Sequence, residues 1–508
     1  MSGDGLLFEG ADWDFGTLRR IHDAAEEIAE KELGLSVHPN RIEVITAEQM
    51  LDAYASNGMP LMYQHWSFGK RFMQHEGLYR KGLQGLAYEI VINSRPCISY
   101  LMEENSATMQ ALVISHAAFG HNHFFRNNRL FQEWTDPSGI LDYLEFARGF
   151  IARCEERHGR AAVERILDAA HALSAQGVHH PTAGKPLDLK AEEKRERERR
   201  EHDERVFNDL WRTLPQTGAA PAAADPVAER QRRLRLPEES LLYFLEKFGP
   251  RLAPWQREIL RIVRLISQYF HPQRQTKVMN EGCATWTHYY IMNRFHQQGR
   301  IHDGHFLEFL SSHANVLTQP DFDDPRFGGF NPYALGFAVM RDIERICTEP
   351  TAEDRRWFPD FAGNRDPFGT LRHAWSEYRD ESFLLQYLSP KVIRDFRLFR
   401  LRDEHARPHL TVDAIHDEEG YRQIRRSLAG TYEIGRMAPE ILVVDVDLGG
   451  DRRLMLEHRT QSGHLLVEND ARVTLELLAS LWGYEVSLAE VDAATGRILR
   501  QHRVGPSA

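Results

Sequence analysis

The chain has 508 residues, a formal net charge of −11 and four cysteines, none of them in a Cys-x-x-Cys pair. This length favours about two to four domains. The acidic balance argues against nucleic acid as the main partner, because no global positive field attracts phosphate. The cysteine usage argues against a disulfide framework and a cysteine–zinc site. Because we find neither a secretory signal nor an apolar run of roughly 20 residues, we expect a cytoplasmic protein without a membrane span.

Helical periodicity dominates residues 1–180, which we interpret as the first half of a helical domain. One helix is predicted to start near Leu83 and continue to Asn93. A second is predicted to start either near Ile98 or at Ser106, and to run to Ser115. This second helix leads directly into a histidine-rich stretch.

The composition changes sharply in residues 181–235. Between Lys190 and Arg205 every residue except Ala191 and His202 is charged, and an alanine- and proline-rich stretch follows. Such a segment has almost no apolar surface to bury, so it is predicted to be an insertion or linker. Helical periodicity resumes in residues 236–405, the predicted second half of the helical domain.

Residues 406–508 are predicted to contain both strands and helices. The strands lie near 410–415, 441–448, 453–458 and 484–491, and the helices near 418–428 and 471–482. Gly449 and Gly450 predict a tight turn between the two middle strands. The order β-α-β-β-α-β occurs in ferredoxin-like sandwiches. The predicted fold is therefore a mainly α-helical N-terminal domain followed by a smaller α+β C-terminal domain.

The candidate site begins with the run Asn280-Glu-Gly-Cys-Ala-Thr-Trp-Thr-His288. On a helix, Glu281, Thr285 and His288 share one face. A carboxylate and an imidazole on a largely apolar helix need partners, because burying a charge alone is costly. The sequence offers His116 and His121 as those partners, bridged by a divalent metal, zinc or iron.

The spacing of the histidines leaves alternatives open. If an α-helix continues past His116, then His123 lies on the same face and His121 does not, since five residues turn an α-helix about 140° beyond a full circle. Gly120 could break the helix and bring His121 round. His123 therefore stays beside His116, His121, Glu281 and His288 as a candidate.

The Asn280-Glu-Gly-x-Ala pattern is similar to the helix that supplies the glutamate ligand in gluzincin-type metallopeptidases. Those enzymes carry His-Glu-x-x-His, whose glutamate is the general base. Here His116 and His121 are five residues apart and no glutamate lies between them. A base would have to come from elsewhere, and Glu104 and Glu89 are the candidates.

Four long motifs, His116–Asn128, Asn280–His288, Asn331–Gly336 and Leu388–Arg394, resemble the SpoVR family, the stage V sporulation protein R group. The resemblance covers nearly the whole chain. It implies a link to spore cortex formation or to a stress response. It also implies, as partners, a PrkA-type serine protein kinase and a von Willebrand-type protein.

Two functions from different classes follow. The first is a metal-dependent hydrolase of an amide-containing substrate, peptide or cell-wall material. The second is a non-enzymatic adaptor or regulator in a serine-kinase-linked pathway, in which the histidines and Glu281 form a structural polar network.

Overall fold

The fold was analysed in a computed structural model. It describes residues 5–55, 62–68, 89–178, 236–321, 327–402, 411–414, 416–433, 438–460 and 465–506, with the single positions 70, 73, 234 and 324. The predicted insertion at 181–235, apart from position 234, and the start of the helix predicted from Leu83 lie outside these residues. Within them, no helix is both long and apolar enough to cross a membrane.

The chain forms two compact units, residues 1–164 with 269–437 and residues 165–268 with 438–508. The first unit is mainly helical, and the second contains the C-terminal sheet. This pattern confirms the predicted fold class.

The first unit contains a three-stranded sheet of β1 (Asn40–Ile45), β2 (Glu89–Ile92) and β3 (Cys97–Met102). The strand order is β1-β3-β2, with β3 parallel to β1 and antiparallel to β2. The helices predicted over Glu89–Asn93 and from Ile98 are therefore wrong. Short apolar runs suit either structure, and here the alternating burial of β2 and its pairing with β3 produce strands. The alternative start at Ser106 is confirmed by the helix Ala107–Ile114.

The other helices of the first unit are Phe15–Lys31, Ala47–Ala55, Asn122–Asn127, Arg129–Trp134, Ile140–His158, Lys277–Gln297, Asp303–Val316, Pro332–Thr348, Ala352–Trp357, Pro367–Glu377, Asp380–Tyr387, Pro390–Asp395 and Glu418–Thr431. A π-helix, Ser115–His121, joins Ala107–Ile114 to Asn122–Asn127. The helices Arg160–Ala172 and Pro254–Gln275 contain the residues at which the two units divide.

The helix Lys277–Gln297, which we call the glutamate helix, passes through the core of the first unit. On one side it meets the π-helix so closely that a Cβ on Gly120 would lie 2.5 Å from the Cα of Ala284. On another side it meets Pro332–Thr348, where a Cβ on Gly282 would lie 2.7 Å from the Cα of Gly336. Glycine at these positions lets the three helices approach at backbone distance.

The start of the glutamate helix is held by a carboxylate from a distant part of the sequence. The backbone N–H groups of Val278 and Met279 donate to the two oxygens of Asp380, each at 2.9 Å. Burial raises the pKa of Asp380 to about 7 against these hydrogen bonds. The cap satisfies two of the N–H groups that every helix leaves unpaired at its start, and so fixes the position of Glu281 one turn further on.

The second unit has a four-stranded sheet in the order β6 (Ile441–Val446), β7 (Leu454–Thr460), β8 (Val486–Asp492), β9 (Ile498–Val504). The predicted hairpin between β6 and β7 and the helix that follows it, Glu468–Trp482, are present. Helix Leu241–Phe248 belongs to the same unit, where its Phe244 ring lies 5.9 Å from that of Trp482.

This sheet differs from the predicted ferredoxin-like order. The first predicted strand, β5 (Thr411–Ala414), pairs instead with β4 (Arg400–Arg402) in a two-stranded sheet of the first unit. The fourth position is taken by β9, which was not predicted. All its residues are exposed or half-buried, and four of the seven (Arg500, Gln501, His502 and Arg503) are polar, so the sequence carries little apolar alternation there. A single helix crosses from β7 to the parallel strand β8.

Candidate metal centre

Two buried histidines come from the π-helix. His116 and His121 are 4% and 7% exposed. A π-helix closes its hydrogen bonds from i to i+5, so a residue five positions on returns close to the same face. Both imidazoles therefore face the same neighbours, which a regular α-helix would not allow. Of the two alternatives left open by the sequence, the structure selects His121, although the helix is widened rather than broken at Gly120.

Two carboxylates meet these imidazoles, one from β2 and one from the glutamate helix. Oε1 of Glu89 lies 3.0 Å from Nε2 of His116 and 3.9 Å from Nε2 of His121. Oε2 of Glu281 lies 4.0 Å and 3.5 Å from the same two nitrogens. Four ligand-type atoms thus converge on one small volume.

These separations fit a divalent cation. Ligands about 2 Å from a tetrahedral ion lie about 3.3 Å from one another, close to the four distances here. Glu89, His116 and His121 offer one ligand atom each, all within 4.8 Å of one another. Oε2 of Glu89 and Oε2 of Glu281 are buried and have no hydrogen-bond partner among the described residues. Buried carboxylate oxygens without a donor are what a bound cation would satisfy.

The electrostatics of the cluster favour neutral imidazoles and a proton-holding carboxyl. Burial lowers the pKa of His116 well below its usual value, and the nearby His121 and His288 lower it further. Burial raises the pKa of Glu89 well above its usual value, and the Glu281 carboxylate adds to this rise. Neutral imidazole is the form that binds a metal, so the lowered pKa of His116 favours the form needed for coordination.

Each histidine is held through its second ring nitrogen. Nδ1 of His121 lies 2.9 Å from Oδ1 of Asn280, to which it donates. Nδ1 of His116 lies 2.8 Å from Nδ1 of His288, whose Nε2 lies 2.9 Å from Nδ1 of His313. Such outer contacts fix the tautomer and the orientation of a metal-binding imidazole.

His288 is therefore not placed as a metal ligand, contrary to the sequence-based expectation. Both of its nitrogens already contact other histidines, and burial lowers its pKa well below the usual value. If Nε2 of His116 binds a cation, Nδ1 of His116 donates to His288, which in turn donates to His313. His313 is a member of this network that the sequence did not reveal, because the helix Asp303–Val316 carries no pattern that sets this histidine apart.

Three other candidates lie outside the cluster. His123 accepts a hydrogen bond from the backbone N–H of Ser36 at 3.0 Å, and burial lowers its pKa to about 4. Glu104 is exposed in the turn after β3, so of the two candidate bases only Glu89 reaches the histidines. Thr285 is buried one turn beyond Glu281, and its hydroxyl has no partner among the residues the structure describes.

The fold and site define a mainly helical protein with a buried histidine–glutamate cluster suited to a divalent cation. The "SpoVR like protein" family matches residues 12–437, and the "SpoVR-like C-terminal domain" family matches residues 439–493. The chain therefore belongs to the SpoVR family, as the motifs predicted. It is 50% identical over 484 residues to the "Uncharacterized protein YcgB" of Escherichia coli (strain K12). The matched stretch covers 95% of this chain and 94% of that protein. No solved structure matches the chain.

Proposed function

We propose that this protein binds one divalent metal ion, zinc or iron, at His116, His121 and Glu281, and uses it to hydrolyse an amide bond. The observation that carries the proposal is the convergence of two imidazole nitrogens and two carboxylates at 3.0–4.0 Å. Each carboxylate also has one buried oxygen without a hydrogen-bond partner among the described residues. Two histidines and one glutamate are a ligand set of hydrolytic zinc sites.

The second carboxylate has a different role. Glu89 comes from a strand rather than from either ligand helix, and its raised pKa suits a group that takes up and returns a proton. A bound metal supplies acidification of water and polarisation of a carbonyl. Glu89 accepts the proton from the attacking water and delivers it to the leaving amine, while Asn280 and His288 keep the two imidazoles in position.

Substrate reaches the cluster past the carboxylates. The side chains of Glu89 and Glu281 are 15% and 17% exposed, whereas those of His116 and His121 are 5% and 8% exposed. The site therefore favours a narrow, extended substrate, such as a peptide or a cell-wall peptide stem, over a bulky folded protein.

Metal content and amide hydrolysis test the two halves of the proposal separately. Elemental analysis should find about one zinc or iron per chain in the wild type and in His302→Ala, an exposed control. His121→Ala and Glu281→Gln should lose the metal. Glu89→Gln should keep most of it but hydrolyse fluorogenic peptides and muropeptides about 10²- to 10⁴-fold more slowly.

The outcomes separate the alternatives. A folded wild type that stays metal-free after incubation with zinc or iron(II) would refute the metal site. Bound metal without hydrolysis of any amide probe would support the metal site but refute the hydrolase activity. Either result would favour the adaptor role in a sporulation or stress pathway. The PrkA-type kinase and the von Willebrand-type protein remain predicted partners from the family resemblance.

A further inference from the structure

A second site lies in the first unit, in a cleft of about 600 Å³ lined by residues of the helices Ala352–Trp357 and Glu418–Thr431. Four arginines line it: Arg356, Arg422, Arg425 and Arg426. The volume lies within the range of small-molecule sites, about 300–1,000 Å³. None of these residues belongs to the histidine–glutamate cluster.

The two acidic residues of the cleft are already neutralised by arginines. Glu418 pairs with Arg422 at 2.6 Å, and Glu353 pairs with Arg394 at 2.7 Å. Their charges are therefore not free to balance the remaining guanidinium groups. The cleft keeps a positive charge although the protein as a whole is acidic.

Three arginines retain this charge. Arg356 and Arg426 are exposed, and neither forms a hydrogen bond or ion pair within the described part of the chain. Arg425 is half-buried, and its Nε and Nη2 atoms have no hydrogen-bond partner among the described residues. Its remaining nitrogen, Nη1, donates to the carbonyl oxygen of Leu385 at 3.3 Å.

The position of Arg425 is fixed by aromatic packing rather than by a counter-charge. Its guanidinium lies 4.7 Å from the ring centre of Trp357 and 5.5 Å from that of Phe358. Burial, followed by the charge of Arg422, lowers the pKa of Arg425 to about 10. Because aromatic rings surround this guanidinium, the local dielectric constant is low and solvent screens its positive field poorly.

We propose that this cleft binds the di- or triphosphate group of a small anionic ligand. Three unpaired guanidinium groups call for an anion of several charges, which a single carboxylate does not supply. The planar fork of arginine matches phosphate oxygens. The Trp357 ring is already covered by Arg422 and Arg425, so recognition rests on the phosphates rather than on a stacked base.

Calorimetric titration with sodium tripolyphosphate, pyrophosphate and ATP tests this. The protein is kept metal-free with EDTA, so that phosphate cannot bind through the other site. Tripolyphosphate and ATP should bind with affinities within a few-fold of each other and should weaken as salt rises. Citrate, a carboxylate anion of similar charge, should bind more weakly. A much tighter ATP complex would identify a nucleotide as the source of the phosphates.

Two variants and a control connect binding to the cleft. Arg425→Gln, and separately the double change Arg356→Gln with Arg426→Gln, should each weaken tripolyphosphate binding about 10- to 100-fold. Arg129→Gln, an exposed arginine outside the cleft, should bind as the wild type does.

Thermal melts distinguish a binding role from a structural one. Without ligand, Arg425→Gln should melt at or above the wild-type temperature, because it removes a buried charge that lacks a partner. With tripolyphosphate at a fixed concentration, the wild type and Arg129→Gln should gain more stability than the cleft variants do. The proposal is overturned if the wild type binds no polyphosphate at millimolar concentration, or if Arg425→Gln binds it unchanged.

Discussion

Replacing Gly120 by alanine tests whether the close contact between the π-helix and the glutamate helix sets the geometry of the proposed metal centre. The new Cβ would lie 2.5 Å from the Cα and 2.9 Å from the Cβ of Ala284, whereas ordinary contacts are 3.4–4 Å. Both atoms of Ala284 are fixed to a helix, so neither can swing aside. The two helices must therefore separate by about 1 Å. Overpacking of this kind typically costs about 1–3 kcal/mol of stability.

This displacement acts directly on the ligands. His121 and Glu281 lie on the two helices that separate, and their ligand atoms are already 3.5 Å apart. A metal site tolerates about 0.5 Å of misplacement, so a shift of about 1 Å should lower the metal affinity at least about 10-fold. Urea denaturation of the metal-free protein measures the strain, and competition with a chromogenic chelator measures the affinity.

The matched control is Gly304→Ala. Gly304 lies in the helix Asp303–Val316, and a Cβ there would meet nothing within 4 Å. Alanine should leave metal affinity unchanged and stabilise the helix by up to about 1 kcal/mol. If Gly120→Ala matched this control in both stability and affinity, the helix contact would not determine the site geometry.

Three further changes probe other parts of the molecule. Asn280→Ala should weaken metal binding about 10- to 100-fold without unfolding the protein, because the His121 ring loses its outer partner; unchanged affinity in the chelator assay would contradict this role. Burial alone would raise the pKa of Asp354, but hydrogen bonds from Arg345 and Thr351 together outweigh it and lower the pKa from 3.8 to about 2. The stability that the ionised carboxylate contributes is present above about pH 4 and is lost as the pH falls towards 2. Asp354→Asn should therefore cost about 2–4 kcal/mol in urea melts at pH 7, and this cost should be smaller at pH 3. Phe244→Ala should cost the second unit about 3–5 kcal/mol, seen as an earlier unfolding transition; an unchanged transition would show that this ring does not support the C-terminal sheet.

Two parts of the chain are not reached by these variants. Residues 185–230 should be removable without a large loss of melting temperature, since they offer little apolar surface to bury. Residues 438–508 share a compact unit with residues 165–268. A fragment that begins near residue 406 therefore lacks Phe244 and its helix, and its thermal melt tests how far the sheet depends on them.

The sequence predicted the residues that meet in the cluster from its helices better than those contributed by a strand or by the surrounding histidine network. The proximity of Glu281, His116 and His121 was predicted because charged and imidazole groups on apolar helices need polar partners. The position of Glu89 was not, because Ile90-Val91-Ile92 suits a buried helix as well as a strand, and only pairing with β3 decides between them. His313 was also missed, since it contacts His288 across 25 positions of sequence.

The π-helix also changes how the spacing of metal-binding histidines should be compared between proteins. A π-turn holds one more residue than an α-turn, so it is equivalent to a single insertion absorbed inside a helix without a loop. His-x₄-His in a π-helix and His-x₃-His in an α-helix thus present two imidazoles in nearly the same way. Deleting Ala118 would convert the first spacing into the second while turning all later residues of the helix by about 100°. Searches that accept only the shorter spacing pass over sites of this kind, and an alignment gap of one residue between two such histidines need not signal a lost ligand.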